Sequence, residues 1–136
     1  MTRVAAIDCG TNSIRLLVAD GRIGEDGRPH LSDLTRQMRI VRLGQGVDAR
    51  GYLDPAAIER TVEATVEYQR MIEALGATST RFVATSATRD ASNSADFVRQ
   101  IKAVIGVEPE VVVGTEEASL SFNGAVSGLG ESVTAP

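Results

Sequence analysis

The sequence predicts an α/β fold, a five-stranded mixed sheet with the element order βββαβαβα. Up to residue 43, three apolar stretches are separated by short polar turns, which is typical of an antiparallel meander. Beyond residue 54, segments with apolar residues at every third or fourth position alternate with short β-rich segments. This alternation indicates parallel strands joined by right-handed crossovers. The chain has 136 residues, enough for one domain and too few for two of ordinary size.

The three N-terminal strands are predicted at residues 4–7, 14–20 and 31–43. The first ends at Asp8, and a small polar turn leads from there into the second. The segment 21–30 contains three glycines and a proline, which predicts a turn or an exposed loop between the second and third strands.

The first helix is predicted at residues 55–75. Asp54 is suited to the N-cap, Pro55 to the first helical position, and Gly76 to the residue that ends the helix. The apolar residues between these signals recur at helical spacing and predict the buried face: Ile58, Val62, Val66, Ile72 and Leu75.

The rest of the chain alternates strands and helices. Residues 81–85 predict a fourth strand and residues 94–105 a second helix. Residues 110–113 are apolar after the first position, which is typical of a strand buried on both faces. A third helix is predicted at residues 116–126, and residues 127–136 are small and polar, like a linker.

Composition excludes several classes of function. The net charge is −4 and the isoelectric point is about 5.0, the wrong sign for general nucleic-acid binding. A single cysteine, Cys9, excludes a disulfide framework and a cysteine-rich zinc site. No apolar run is long enough to span a bilayer, and no signal-peptide pattern precedes residue 4. We therefore expect a cytoplasmic protein with no membrane partner.

Three polar segments follow predicted strand ends, where ligands bind in open α/β sheets. Residues 8–13 (DCGTNS, the 8–13 loop) combine a carboxylate that can hold Mg²⁺ with a glycine and donors suited to phosphate. The same residue types are also those that tight turns use. The loop is not a nucleotide P-loop, because it lacks the glycine–lysine pair.

The other two segments are residues 85–90 (TSATRD) and 114–118 (GTEEA). Arg89 offers a forked donor for phosphate oxygens, although an exposed arginine paired with a nearby acid is the better explanation when the segment is taken alone. Glutamates in a first helical turn are ordinarily explained by the helix dipole, but one of them could act as a general base for water. The predicted topology brings all three segments together.

The element order resembles the ribonuclease-H-like half-domain of the actin, Hsp70 and sugar-kinase superfamily. Within that group, residues 8–15 (DCGTNSIR) resemble the D-x-G-[ST]-N-S-x-[RH] opening of the exopolyphosphatase/guanosine pentaphosphate phosphatase (Ppx/GppA) family. Residues 84–91 resemble its second signature and residues 114–118 its glutamate signature. Residues 43–47 (LGQGV) stand where the family has a glycine-containing loop. The resemblance covers essentially the whole chain.

The resemblance implies a two-lobed enzyme with its active site in the cleft between ribonuclease-H-like lobes and with Mg²⁺ as cofactor. It implies that Glu117 is the general base and leaves the role of Glu116 open. It further implies one metal-binding residue, Asp8, and a set of phosphate-binding residues: Gly10, Thr11, Asn12, Ser13 and Arg89.

Two departures from the family pattern bear on the activity. Ser119 stands where many members carry arginine, and the second phosphate loop (Asp-x-Gly-Gly-Gly-Ser) is absent. We expect residues 1–126 to be the N-terminal lobe and residues 127–136 to lead toward a second lobe. We also expect the isolated lobe to be inactive.

The expected reaction is Mg²⁺-dependent release of the terminal phosphate of inorganic polyphosphate or of guanosine pentaphosphate, without a covalent intermediate. The sequence does not choose between these substrates and leaves a homodimer open. Two other classes remain as alternatives. One is an ATP-dependent small-molecule kinase of the same superfamily, and the other is a non-catalytic nucleotide- or polyphosphate-binding module, including an actin-like filament subunit.

Other residues invite functional interpretations that we do not favour. Cys9 could be a nucleophile, but no histidine is near it in sequence, and a small buried side chain is the better interpretation. His30, the only histidine, is predicted to be exposed. Arginines of the predicted helices, such as Arg60 and Arg70, are predicted to lie on solvated faces.

Overall fold

The structure is a computed structural model that describes residues 2–47, 51–84, 88 and 91–111. The elements within this part follow the predicted order: β1 (Thr2–Cys9), β2 (Ser13–Ile23), β3 (Pro29–Ile40), α1 (Pro55–Leu75), β4 (Ser79–Ala84), α2 (Ser94–Ile105) and β5 (Glu110–Val111). The third helix predicted at residues 116–126 and the predicted linker at 127–136 lie outside the described residues.

The five strands form one sheet with the order β3-β2-β1-β4-β5. β1 pairs antiparallel with β2, and β2 with β3, whereas β4 pairs parallel with β1 and with β5. The prediction of a mixed sheet, a meander followed by parallel strands, is confirmed. The parallel register sets Cys9, Ala84 and Val111 side by side, so that β1, β4 and β5 reach the same edge of the sheet.

The β2–β3 hairpin is longer than predicted. Pairing continues to Ile23 and Pro29, and only residues 24–28 remain as the turn, which the Gly24 N–H closes by donating to the Arg28 carbonyl at 2.9 Å. At its other end β3 stops at Ile40 and not at residue 43. The reason is that the N–H groups of Val41 and Arg42 both donate to the carbonyl of Asn12, each at 2.9 Å. The chain therefore leaves the strand and forms a loop at residues 41–47 (the 41–47 loop).

Helix α1 has the ends that the sequence predicts. The Asp54 carboxylate accepts a hydrogen bond from the Ala56 N–H at 3.0 Å, and Pro55 opens the helix. Gly76 ends it with a φ of +73°, a backbone conformation that glycine adopts without strain.

The buried face of α1 differs from the predicted apolar stripe. Val62, Val66 and Leu75 are only half-buried. Thr61, Thr65 and Tyr68 are buried. The two threonines are tolerated in the core because each hydroxyl donates to a backbone carbonyl four residues earlier, at 2.8 Å. The Tyr68 hydroxyl donates to the Ile14 carbonyl at 2.8 Å, which fixes α1 to the start of β2.

Helix α2 and strand β5 complete the described part. The bounds of α2 are those predicted, and its Phe97, Ile101 and Ile105 are buried in the same core cluster as Phe82 of β4. In β5, Val111 is 40% exposed, so the prediction of a strand buried on both faces is wrong at this residue, which lies in the last strand of the sheet order. Among the described residues, no helix combines the length and apolar content that crossing a membrane requires.

Candidate functional site

The 8–13 loop joins β1 to β2 in a tight turn. The Gly10 N–H donates to the Ser13 carbonyl at 2.9 Å and closes the turn. Asn12 at its tip is exposed, and Gly10, Thr11 and Ser13 are half-buried. The four predicted phosphate-binding residues of this loop therefore lie together at a solvent-accessible end of the sheet.

The peptide groups of the loop face in a defined direction. The Thr11 carbonyl accepts from the Gly44 N–H at 2.8 Å, and the Asn12 carbonyl accepts from the 41–47 loop as described above. Within the described part of the chain, the N–H groups of Thr11 and Asn12 donate to no protein acceptor. The carbonyls are thus engaged by the 41–47 loop, and two donors remain for an anion.

Asp8 lies at the base of this loop and is 7% exposed. Its Oδ1 atom is buried and has no hydrogen-bond partner among the described residues. Burial raises the pKa of the Asp8 carboxyl to about 6, and the nearby positive charge of Arg15 opposes that rise only in part. The ionised form of this side chain is poorly compensated within the described protein atoms.

Arg15 is a further charged residue beside Asp8, and it is not among the site residues predicted from the sequence. It lies opposite Asp8 in the β1–β2 register, and its side chain is exposed. The signal that could have identified it is strand alternation: an arginine interrupts the apolar run of β2 two residues after Ser13. Arg15 therefore adds a positive charge on the sheet face that Asp8 occupies.

The Asp8 carboxylate is suited to a Mg²⁺ ion that would be coordinated by both this side chain and a bound phosphate ligand. A carboxylate oxygen without a partner is a hard donor of the kind that Mg²⁺ prefers, and this ion is usually held by one or two carboxylates together with phosphate oxygens and water. No group of three potential metal-ligating side chains gathers among the residues described. Asp8 is thus the described residue that fits a Mg²⁺ ion, with phosphate oxygens as the kind of partner that this ion usually takes.

The second predicted segment, residues 85–90, begins beside the 8–13 loop because Ala84 pairs with Cys9. Of this segment only Thr88 is described; it is buried, and its hydroxyl has no hydrogen-bond partner among the described residues. The predicted Arg89 and Glu117 lie outside the described part, as do Glu116 and Ser119. Their proximity to Asp8 remains a prediction.

Cys9 and His30 are placed as expected. Cys9 is fully buried, its Sγ donates to the Gly10 carbonyl at 4.0 Å, and burial raises the pKa of its thiol, which argues against a nucleophile. His30 is exposed and pairs with Asp26 at 3.1 Å in the β2–β3 hairpin, at the opposite end of β2 from the 8–13 loop. Neither residue contributes to the candidate site.

A cavity of about 490 Å³ lies between α1 and α2, away from the 8–13 loop. Its walls include Ile58 and Val62 together with the acidic side chains Glu59, Glu63 and Asp96. Negative charges repel phosphate, so this cavity is unsuited to the ligand that the 8–13 loop is arranged to bind.

The fold and the site define a ribonuclease-H-like α/β domain of the actin-like type, with a polar turn and a buried carboxylate where β1 meets β2. Comparison with known proteins gives the family. The Ppx/GppA phosphatase family model matches residues 22–135, and the chain belongs to that family.

Relatives and solved structures agree with this assignment. The chain is 51% identical over 135 residues to exopolyphosphatase 2 of Mycobacterium tuberculosis, which covers 96% of this chain and 42% of that protein. A Ppx/GppA family member from Aquifex aeolicus superposes with a TM-score of 0.75 at 34% identity, covering 85% of this chain and 36% of that one. An exopolyphosphatase from Cytophaga hutchinsonii superposes with the same TM-score at 29% identity, covering 88% and 36%. The predicted fold is confirmed, and the chain spans less than half the length of these relatives.

Proposed function

We propose that this chain is the first lobe of a Mg²⁺-dependent phosphoanhydride hydrolase that removes the terminal phosphate from inorganic polyphosphate or guanosine pentaphosphate. One observation carries the proposal: among the described residues, the N–H groups of Thr11 and Asn12 have no acceptor, and the buried Oδ1 atom of Asp8 in the same turn has no hydrogen-bond partner. Two of the relatives are exopolyphosphatases, which supports the substrate class.

The 8–13 loop binds and orients the substrate. The Thr11 and Asn12 N–H groups donate to phosphate oxygens, and the hydroxyls of Thr11 and Ser13 are additional donors. The 41–47 loop holds the Thr11 carbonyl, which lies in the same planar peptide group as the Asn12 N–H, so this donor is oriented before the substrate arrives. Donors fixed in advance stabilise developing charge without the cost of reorganisation in the transition state.

Asp8 acts as the residue that holds the cation. Above a pH of about 6 its carboxyl is ionised, and its Oδ1 would bind Mg²⁺ jointly with substrate oxygens. When bound, the cation neutralises negative charge on the phosphates and on the departing oxygen. Arg15, across the strand pair, adds a second positive charge on the same face.

Glu117 is proposed to accept a proton from the attacking water. The oxygen of that water forms a bond to the terminal phosphorus while the bridging P–O bond breaks, and the electron pair leaves with the shortened chain. Arg89 is proposed to bind the phosphate that departs. No covalent enzyme intermediate is needed in this scheme.

The proposal is tested by phosphate release from the full-length protein, with polyphosphate, guanosine pentaphosphate and ATP offered separately in the presence of Mg²⁺. We expect release from at least one of the first two, reduced about a hundredfold or more in Glu117→Gln, the loss typical of a general base. Glu116→Gln is the matched control, with the neighbouring charge removed.

Other outcomes separate the alternative functions. Transfer of phosphate from ATP to a small alcohol or carboxylate would favour the kinase. Binding of polyphosphate or nucleotide without any release would favour a sensing module. Release that is indifferent to Glu117→Gln would show that the general base is another group.

A further inference from the structure

Arg42 has an unusual backbone conformation next to the candidate site. Its φ is +53°, and it is the one non-glycine residue with a positive φ in the described part of the chain. Residues with a Cβ are strained in this region, and glycine would adopt it freely. Strain of this kind persists where the surroundings enforce it, and it is concentrated at ligand-binding sites.

Hydrogen bonds fix Arg42 against the 8–13 loop. Its N–H donates to the Asn12 carbonyl at 2.9 Å, and its own carbonyl accepts from the Gln45 N–H at 3.1 Å. Its side chain is exposed. The fold thus places a long cationic side chain on the residue that directly contacts the loop, whereas the neighbouring Val41 is buried.

The guanidinium of Arg42 is uncommitted within the described structure. The two arginines of β3 have partners: Arg39 pairs with Glu67, and Arg36 pairs with Asp33. Arg42 has no ion pair or side-chain hydrogen bond among the described residues. In a chain of net charge −4, an arginine without an acidic partner beside two unused N–H donors is arranged for an external anion.

We propose that Arg42 binds phosphates of the polyphosphate chain next to those seated on the 8–13 loop, and that it favours long substrates over short ones. This inference rests on the proposed function and extends it by one substrate-binding residue. In this arrangement the 8–13 loop holds the terminal phosphate of the substrate. The next phosphates of the chain lie beyond the loop, where the forked guanidinium of Arg42 can bind two phosphate oxygens at once.

The test compares Arg42→Gly with Arg28→Gly in the full-length protein. Arg42→Gly removes the charge and also relieves the strained φ, so its stability should equal or exceed that of the wild type. Arg28 is another exposed arginine, in the β2–β3 turn, roughly 30 Å away along the length of β2. The two variants therefore remove the same charge from two turns, only one of which adjoins the candidate site.

Binding of long-chain polyphosphate and of tripolyphosphate is measured by calorimetry, and KM and kcat are measured where there is turnover. We expect Arg42→Gly to weaken long-chain binding about tenfold, as for one charge-assisted hydrogen bond. The effect on tripolyphosphate should be smaller, kcat nearly unchanged, and Arg28→Gly should match the wild type. Arg42→Lys should restore part of the affinity.

Equal weakening in both variants, or none in Arg42→Gly, would overturn the inference even if the protein is a phosphatase. Conversely, long-chain binding that depends on Arg42 without any phosphate release would support the inference and refute the hydrolase. A wild-type protein that binds neither ligand would overturn both. The direct binding measurement thus distinguishes failure of the Arg42 inference from failure of the proposed hydrolase function.

Discussion

Asp8 is buried in a place where its charged form is costly, and this explains both its raised pKa and its proposed role. Its carboxyl has a pKa of about 6 in the folded chain against an ordinary value of 3.8, chiefly because burial removes water from it. The unfolded chain therefore releases this proton at a lower pH than the folded chain does. Between about pH 4 and pH 6, folding stability falls as the pH rises, and the whole penalty is present above pH 6.

Replacing Asp8 by Asn should stabilise the metal-free protein at neutral pH. The gain in free energy of unfolding should reach up to about 3 kcal/mol at pH 8 and fall below about 1 kcal/mol at pH 4, where the carboxyl is protonated in the folded state and about half protonated in the unfolded state. Denaturant unfolding in the presence of a chelator, at both pH values, measures it. An Asn variant that is less stable than the wild type at pH 8 would refute the argument from desolvation. Loss of activity in a stabilised variant would show that the costly burial of the Asp8 charge serves function.

At the scale of elements, the candidate site depends on a chain of contacts from α1 through the 41–47 loop to the 8–13 loop. Arg60 on α1 donates from Nε to the Val41 carbonyl at 2.9 Å and from Nη2 to the Gln45 Oε1 atom at 3.0 Å. Val41 in turn donates to the Asn12 carbonyl. The prediction that Arg60 lies on a solvated face is wrong, because the 41–47 loop passes over it and needs a donor for a backbone carbonyl.

Arg60→Ala should loosen this support. Loss of a charged donor to a carbonyl should reduce the free energy of unfolding by about 1 to 2 kcal/mol. Because Arg60 does not belong to the 8–13 loop, KM for the proposed substrate should rise while kcat changes little. Thermal unfolding and steady-state kinetics measure the two effects.

Arg70→Ala is the matched control, since Arg70 is exposed on the same helix and should leave both quantities unchanged. Identical behaviour of the two variants would show that the 41–47 loop does not depend on α1.

The same contacts explain which elements the sequence predicts well. Both ends of α1 follow from residues at those ends, Asp54, Pro55 and Gly76, and local signals suffice for them. The end of β3 cannot be predicted from local residues, because Val41 leaves the strand to donate to the Asn12 carbonyl, 29 positions earlier in the chain. The burial of Thr61 and Thr65 in α1 is also not predicted. Their hydroxyls donate to carbonyls of the helix backbone, and a pattern of apolar residues carries no information about such bonds.

Asp8 and the 8–13 loop could be predicted because their residue types and order carry the family motif. Arg42 could not, since its significance lies in a backbone angle and in a contact with Asn12 that only the folded chain displays. Site residues that are defined by local residue types can thus be predicted from the sequence. Those that are defined by the contact between two loops can be identified only from the structure.

For the whole molecule, the main question is how a protein of net charge −4 binds a polyanion. In the described part of the site, positive and hydrogen-bond-donating groups offset the negative net charge locally: two N–H donors, Arg15 and Arg42 lie around the 8–13 loop. The acidic cavity between α1 and α2 lies away from this loop. Asp8 opposes an anion unless a cation neutralises it. The site should therefore accept Mg²⁺ and phosphate together more readily than either alone.

This expectation predicts a coupled thermal shift in the full-length protein. Mg²⁺ alone should raise the midpoint of unfolding little, because the described residues offer it a single carboxylate, and polyphosphate alone should also raise it little. Together they should raise it by about 4 °C or more, the shift expected when ligands well above their dissociation constants stabilise only the folded state. Ligands that assist each other's binding must do so reciprocally.

Asp8→Asn provides the decisive comparison for this coupling. The variant should show a larger shift with polyphosphate alone, because the negative charge that opposes an anion is gone. It should lose the additional shift caused by Mg²⁺, because the amide cannot supply the negative charge that holds the ion beside a phosphate. If Mg²⁺ alone gave the full shift in the wild type, the ion would occupy a site made by protein groups outside the described residues. If the coupling survived in Asp8→Asn, the cation would lie on the substrate without touching this carboxylate, and the buried charge at residue 8 would need another explanation.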